Sequence, residues 1–499
     1  MSRMSAASHE SVERGKSLYF LTWRWHFYAG LFVVPFILIL AVTGIVMMFD
    51  GEIEQARYSD ILQVTPQHHQ VAVSQQLAAV QSAYPHGIVT EFIPAQAVDV
   101  ANKFSVRMAD GSDRFITVNP YSGEVLGSID RTQSWYQLAN GIHATLLIGD
   151  AGDYLLEIAA SLGILLLVTG LYLWWPRDNA SRSGFLKIRF GSGSRIVMRD
   201  MHANLGGVLS IVLLFFLISG LSWTGFWGKT FVQTWNSFPT YYTYGEKPQS
   251  KPMTHASLNH GTEKELPWNL ELTPMPESTH PVMEEQPMAA GAPSMAGGQP
   301  EEAHDHSKMG MGEVHAMGHG ALNIDTIMAK AKQMGFGYYR VFFPTGATGV
   351  YTVTANTMAG DIHDPRDDQT VHFDQYSGEV LMGVTWQDYT LFAKAMAAGV
   401  SLHQGDLSPL NKWLNVVFCL SFILIAVTGG VMWWIRRPAG KGKLGVPPRF
   451  EQAGIWKVGL VTLILIGVAF PLAGLSIISV LLLDWLLFSR VARLRYMLS

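Results

Sequence analysis

Residues 27–49, FYAGLFVVPFILILAVTGIVMMF, run for 23 positions without a charged side chain. At about 1.5 Å per helical residue such a run covers a hydrocarbon core of about 30 Å. A backbone in lipid must satisfy its own hydrogen bonds, so the chain is committed to membrane helices. Comparable runs lie at 158–175, 203–227 and 413–435, and a longer one, 458–483, continues past Asp484 to Phe488 around FPLAG at 470–474. Pro471 and Gly474 predict two short helices there. The balance of 48% hydrophobic against 15% charged residues agrees with a membrane protein and not with a soluble globule. The first run exceeds the apolar core of a signal peptide, about 7–15 residues, and FDGEIEQ after it lacks a small-residue cleavage site, so it reads as an uncleaved anchor.

Charge orients the spans. Arg177, Arg182, Lys187, Arg189, Arg195 and Arg199 crowd segment 176–201, and Arg436, Arg437, Lys441, Lys443, Arg449 and Lys457 crowd the stretch from 436 to 457. The long segments 50–152 and 228–412 are acidic on balance. Basic short loops mark the cytoplasmic side, which puts the N-terminus (1–26) inside and both long segments outside. Arg490, Arg493 and Arg495 fall inside only if the last apolar stretch crosses twice. The expected order is therefore spans at 27–49, 153–175, 202–227 and 413–435, inner loops at 176–201 and 436–452, a helical hairpin at 453–490 and a cytoplasmic tail at 491–499. The fold class is a multi-span α-helical membrane protein of about six helices, built on duplicated helix pairs, with two α+β outer domains.

The duplication is visible in YSGEVL, which occurs at 121–126 and again at 376–381. With these copies aligned, His26 precedes Thr43-Gly44 as His202 precedes Ser219-Gly220, the glycine following by 18 positions in both cases. His143 precedes TGLYLWWPR (169–177) and His403 precedes TGGVMWWIRR (428–437), with offsets to Trp174 and Trp433 of 31 and 30. Each YSGEVL follows an alternating stretch, FITVNP or TVHFD, and reads as a hairpin turn in which Gly123 and Gly378 take positive φ. Trp174-Trp175 and Trp433-Trp434, just before cytoplasmic arginines, read as interface belts.

The topology sorts the four histidines into two pairs by depth, His26 with His202 at the inner edge and His143 with His403 at the outer edge. Each pair draws on two different helices, the arrangement that bis-imidazole ligation of a haem needs. Two haems b, one near each face, would carry electrons across the membrane. Arg24 and Arg199, just before the inner histidines, and Arg177 could neutralise the inner propionates. The competing readings are histidines at a wet boundary with no ligand, or a proton relay or metal-transport path, for which Glu157 is the main acidic candidate. Cys419, the only cysteine, excludes disulfides and iron–sulfur clusters.

Taken together, the His26 helix with its TG, the His143 helix ending LYLWWPR, the His202 helix and the YSGEVL turns resemble the PepSY-associated transmembrane proteins of bacterial inner membranes. The resemblance spans nearly the whole chain except about 245–320. It implies two periplasmic PepSY-like domains at 50–152 and 228–412 and His26, His202, His143 and His403 as haem ligands. Members include iron-regulated membrane proteins and dihaem reductases that release iron from siderophores, so the implied activity is haem-dependent ferric siderophore reduction in iron uptake. A quinol or other donor would supply the electrons. The alternatives are a non-enzymatic membrane-anchored PepSY module that binds or restrains a periplasmic protein, and a copper-handling protein.

Copper enters through residues 280–319, rich in Pro, Gly, Met and His, a composition that cannot bury a core of its own. His304, His306, Met309, Met311, His315 and His319 combine imidazole with thioether, a donor set that suits copper. No hydrolase or nucleotide motif appears in the chain, and nothing in it points to a nucleic-acid partner.

Overall fold

The computed structural model describes residues 2–177, 182–232, 254–260, 265–267, 270–278, 321–437, 445–447, 456–483 and 486. The segment 280–319 with its six candidate copper ligands lies outside them, as do Lys441, Lys443, Arg449, Arg490, Arg493 and Arg495.

The first helix, α1 (Ser2–Met48), carries Pro35 and contains an apolar span of 32 residues, Ser17–Met48. Helices α2 (Asp50–Arg57) and α3 (Ser59–Leu62) lead to α4 (Val73–Ala83) and strands β1 (Ile88–Ile93), β2 (Asn102–Arg107), β3 (Asp113–Val118) and β4 (Val125–Asp130). Helix α5 (Trp135–Thr145) precedes the span α6 (Asp150–Trp174). After the basic loop come α7 (Ser194–Val208) and α8 (Ser210–Leu221). The second half repeats the order with α9 (Ile324–Gln333), β5 (Arg340–Phe342), β6 (Val350–Ala355), β7 (Gln369–Asp374), β8 (Val380–Thr385), α10 (Leu391–Gln404) and the span α11 (Pro409–Arg436), followed by α12 (Trp456–Ala469) and α13 (Pro471–Leu483).

Three helices are long and apolar enough to cross a membrane, α1, α6 and α11, and the pair α7–α8 makes a fourth if it is one span bent by 63°. The bend falls where a Cβ on Gly207 would come within 2.3 Å of the Trp174 indole, so α7 approaches α6 through glycine. Trp174 also donates to Asn204 Oδ1 at 3.0 Å and packs on Phe185 at 4.6 Å. It is thus an interhelical wedge rather than the belt residue expected, whereas Trp175 and Trp434 are exposed. The six-helix count is not reached by long helices among the described residues. As expected, Pro471 starts a second short helix, but α12 and α13 have 14 and 13 residues, about 20 Å each. They meet where a Cβ on Gly474 would lie 2.6 Å from the Gly467 Cα.

The two outer modules expected as separate domains are halves of one antiparallel sheet, ordered β4-β3-β2-β1-β5-β6-β7-β8. The halves join where Glu91 and Phe92 of β1 face Phe342 and Val341 of β5. An open strand edge exposes unpaired N–H and C=O groups, and here each half covers the other's edge. One face is apolar: Phe92, Phe104, Ile116, Val341, Val353 and Val371 share a core with Leu77 and Val80 of α4 and Ile324, Ile327 and Ala331 of α9. The opposite face is polar yet buried, with Glu91, Ser105, Thr117, Thr352, Thr370 and His372, and residues of segment 254–278 lie over it. The YSGEVL turns are the β3–β4 and β7–β8 hairpin turns, with Gly123 at φ 74° and Gly378 at φ 68°. Where α1 passes into α2, Glu52 pairs with Lys412 of α11 at 2.6 Å and Phe49 packs on Trp413 of the same helix.

Candidate cofactor site

Each of the four histidines lies against a Ser/Thr-Gly dipeptide of another helix. His26 on α1 meets Thr169-Gly170 on α6, its Nδ1 3.0 Å from Thr169 Oγ1. His143 on α5 reaches back to Thr43-Gly44 on α1, with Nδ1 2.8 Å from Thr43 Oγ1. In the second half His403 on α10 meets Ser219 on α8 at 2.7 Å, beside Gly220. His202 on α7 meets α11 at Thr428-Gly429, where Nδ1 donates to the Ile425 carbonyl at 2.9 Å. Two of the glycines make room: a Cβ on Gly170 or Gly429 would stand 3.1 Å from Cε1 of His26 or His202, whereas one on Gly44 would be in ordinary contact with His143 at 3.8 Å and one on Gly220 would meet nothing within 4 Å.

These contacts bring the inner pair together. The rings of His26 and His202 stand 6.1 Å apart, centroid to centroid, with their planes at 88°. Two imidazoles on opposite sides of one metal, with metal–nitrogen bonds of about 2 Å, would place their centroids about 6 Å apart. With Nδ1 engaged by the protein, Nε2 is the nitrogen left for iron, the arrangement by which outer groups orient a ligating histidine. The donor set and its spacing therefore fit a haem iron.

In the second pair His403 lies within electrostatic range of His143, and Phe216 packs on His403 at 4.9 Å. Helix α10 is stopped just past His403 by Gly405 at φ 87°, and Asn415 of α11 donates to the carbonyls of Leu402 and His403 at 2.7 and 3.0 Å. After His143 the chain turns through Leu146 and Leu147 at φ 52° and 61°, a left-handed conformation costly for residues other than glycine.

The expected cationic partners are already engaged. Arg24 donates to the Pro447 carbonyl and faces Tyr28 at 3.3 Å, Arg199 pairs with Asp200 at 2.9 Å, and Arg177 lies over the Tyr172 ring at 3.8 Å. Arg436, at the end of α11, lies over the rings of Trp23 and Phe27 on the His26 helix at 4.8 and 5.2 Å. Its place near His26 escapes sequence reasoning, which reads it only as a topology charge. Glu157, the acidic candidate for a relay, is buried and accepts the Trp227 backbone N–H at 2.9 Å, tying α6 to the segment after α8.

Sequence reasoning also misses a buried polar cluster at the seam of the sheet. Glu91, His260 and Glu265 bring ligand atoms within 4.8 Å of one another. The cluster is not a convincing metal centre, because Arg340 holds Glu91 at 3.0 Å and Arg131 holds Glu265 at 2.6 Å, and a cation would have to displace both. Asp361 completes it on Arg340 at 2.7 Å. Burial and the Glu265 charge push the Glu91 carboxyl up to about 7. Burial alone would also raise Glu265, but the hydrogen bond from His260 and the neighbouring guanidiniums hold it down. No local pattern announces this cluster, since its members come from positions 91, 131, 260, 265, 340 and 361.

A second buried pair, His255 and His372, is linked Nε2 to Nε2 at 2.9 Å. His255 Nδ1 donates to the Thr273 carbonyl and Thr352 lies 2.9 Å from His372 Nδ1, so every ring nitrogen has a partner. No curated protein matches the chain. The family described as the PepSY-associated TM region matches residues 23–436, which include all four histidines, both halves of the sheet and the three long spans but for the start of the first, and the chain belongs to that family.

Proposed function

We propose that the protein is a dihaem b-type oxidoreductase of the bacterial inner membrane that passes electrons outward to a ferric chelate such as a siderophore complex. The observation that carries this reading is the meeting of His26 and His202 at 6.1 Å, each from a separate helix and each with Nδ1 held by a third or fourth helix. His26 and His202 would hold the inner haem and His143 and His403 the outer one. Haem, when bound, supplies a one-electron Fe(III)/Fe(II) couple. The residues around it orient the imidazoles, and the apolar helices exclude water. The donor would be a quinol or another reductant at the inner face, and the sheet of the outer segments would stand in the periplasm. A ferric chelate of hard oxygen donors loosens on reduction, because those ligands favour the harder ferric ion. No acid, base or nucleophile is needed for such a transfer.

The test is the absorption spectrum of the purified protein, expressed with adequate haem. A Soret band with sharp α and β bands on dithionite reduction, reoxidised by a ferric siderophore, is the expected result. A spectrum without haem bands would overturn the proposal and leave the membrane-anchored binding module as the better reading.

A further inference from the structure

The hydroxyl groups beside the histidines carry more information than their distances. A hydroxyl has one proton to donate, and in each case that proton has an acceptor on its own helix. Thr43 Oγ1 donates to the Ile39 carbonyl at 2.8 Å, Thr169 Oγ1 to the Leu165 carbonyl at 2.7 Å and Ser219 Oγ to the Phe215 carbonyl at 2.7 Å. With that proton spent, each oxygen can only accept from the imidazole. His143, His26 and His403 must therefore carry hydrogen on Nδ1 and a free lone pair on Nε2. At the fourth position the Ile425 carbonyl does the same for His202, since a carbonyl has no proton to give, and Thr428 Oγ1 also faces that carbonyl at 3.0 Å.

We infer that Thr43, Thr169 and Ser219 are positioning residues that fix the tautomer and basicity of the iron-ligating imidazoles and thereby the potential of each haem. The inference rests on the dihaem reading above. An Nδ1–H that donates to a good acceptor makes the imidazole a stronger electron donor and favours Fe(III); loss of the acceptor weakens that preference. At His26 and His202 the neighbouring glycine completes the unit, because a Cβ on Gly170 or Gly429 would crowd the ring at 3.1 Å, whereas a Cβ on Gly44 would make ordinary contact and one on Gly220 would meet nothing within 4 Å. Each hydroxyl's donated bond runs to a carbonyl of its own helix and its one tie to another helix is the bond from the imidazole, so its removal costs that single contact and leaves the packed helix faces in place.

The experiment uses the full-length protein and potentiometric titration of each haem band in Thr43→Val, Thr169→Val and Ser219→Ala. Thr43→Ser, Thr169→Ser and Ser219→Thr are the conservative partners. Ser161→Ala is the control, because Ser161 makes the same bond to its own helix, at 2.7 Å to Glu157, and no histidine contact is seen for it. Thr43→Val and Ser219→Ala should raise the potential of one and the same haem, and Thr169→Val that of the other. The size expected is roughly a tenfold change in ferric preference, about 59 mV for a one-electron couple. The conservative variants and the control should keep wild-type potentials.

Unshifted potentials in all three hydroxyl-free variants, with two haems present in the wild type, would overturn this inference and leave the dihaem reading intact. A wild-type protein without haem would overturn both. If a valine variant loses its haem outright while its circular dichroism is unchanged and the serine variant retains haem, the positioning role stands.

Discussion

At His26 and His202 the deciding neighbours are glycines. Gly170 and Gly429 each leave only 3.1 Å between a would-be Cβ and the imidazole Cε1, tighter than most such contacts, so a branched side chain has no room unless the ring turns away. Gly170→Val should therefore strip the inner haem and leave the outer haem with wild-type bands. Loss of neither signal would show that His26 does not depend on the Gly170 face. The histidines themselves are legible in the sequence because the repeat lines them up. The use of each Ser/Thr-Gly dipeptide is not, since Thr169 and His26 lie 143 residues apart and nothing local says which helix faces which. Arg24 and Arg199 are expected near the cofactor from their position before the histidines, and the structure adds that Arg199 is paired with its neighbour Asp200.

Among the elements, the seam between β1 and β5 depends on charges that would be costly apart. Arg340 bridges Glu91 of the first half and Asp361 of the second. Truncating one partner of a buried ion network strands the others, at a cost of about 3–5 kcal/mol. Arg340→Ala should thus lower the thermal midpoint of the outer domain steeply, while haem bands change little below that temperature. The same cluster predicts a pH dependence. Glu91 binds its proton more tightly in the fold than in the unfolded chain, with a pKa raised from 4.5 to about 7. The associated stability is present in full below about pH 4.5 and is lost as pH rises to about 7, by at most about 3 kcal/mol. Asp368 is pushed up to about 7 as well, by burial, so the contribution of Glu91 is read from the difference between wild type and Glu91→Gln across that range. A difference that stays flat with pH would contradict it. Hairpins were legible here, because YSGEVL supplies glycine where φ must be positive. The seam was not, because β1 and β5 are separated by about 250 residues and pair through only two register positions.

For the whole molecule, the duplication explains why one sheet and one helix bundle each have two related halves. Long apolar spans were legible from composition alone. The bend between α7 and α8 was hidden, because the apolar run 203–227 has no proline and the approach of the Trp174 indole to Gly207 beside the bend is a contact between distant segments. In the proposed dihaem reading the electron path would use only the bundle, so a protein lacking 280–319 should keep both haems and its rate of ferric-chelate reduction, measured side by side with the wild type. Lost copper binding in that variant would assign His304, His306, Met309, Met311, His315 and His319 a separate role. The ligand assignment itself is settled by counting: haem per polypeptide, by pyridine haemochromogen, in the wild type and in His26→Ala, His143→Ala, His202→Ala and His403→Ala. Two haems in the wild type and one in every variant, with His26 and His202 losing the same spectral component and His143 and His403 the other, is the predicted result. A wild type with no haem, or variants whose losses pair His26 with His143, would contradict it.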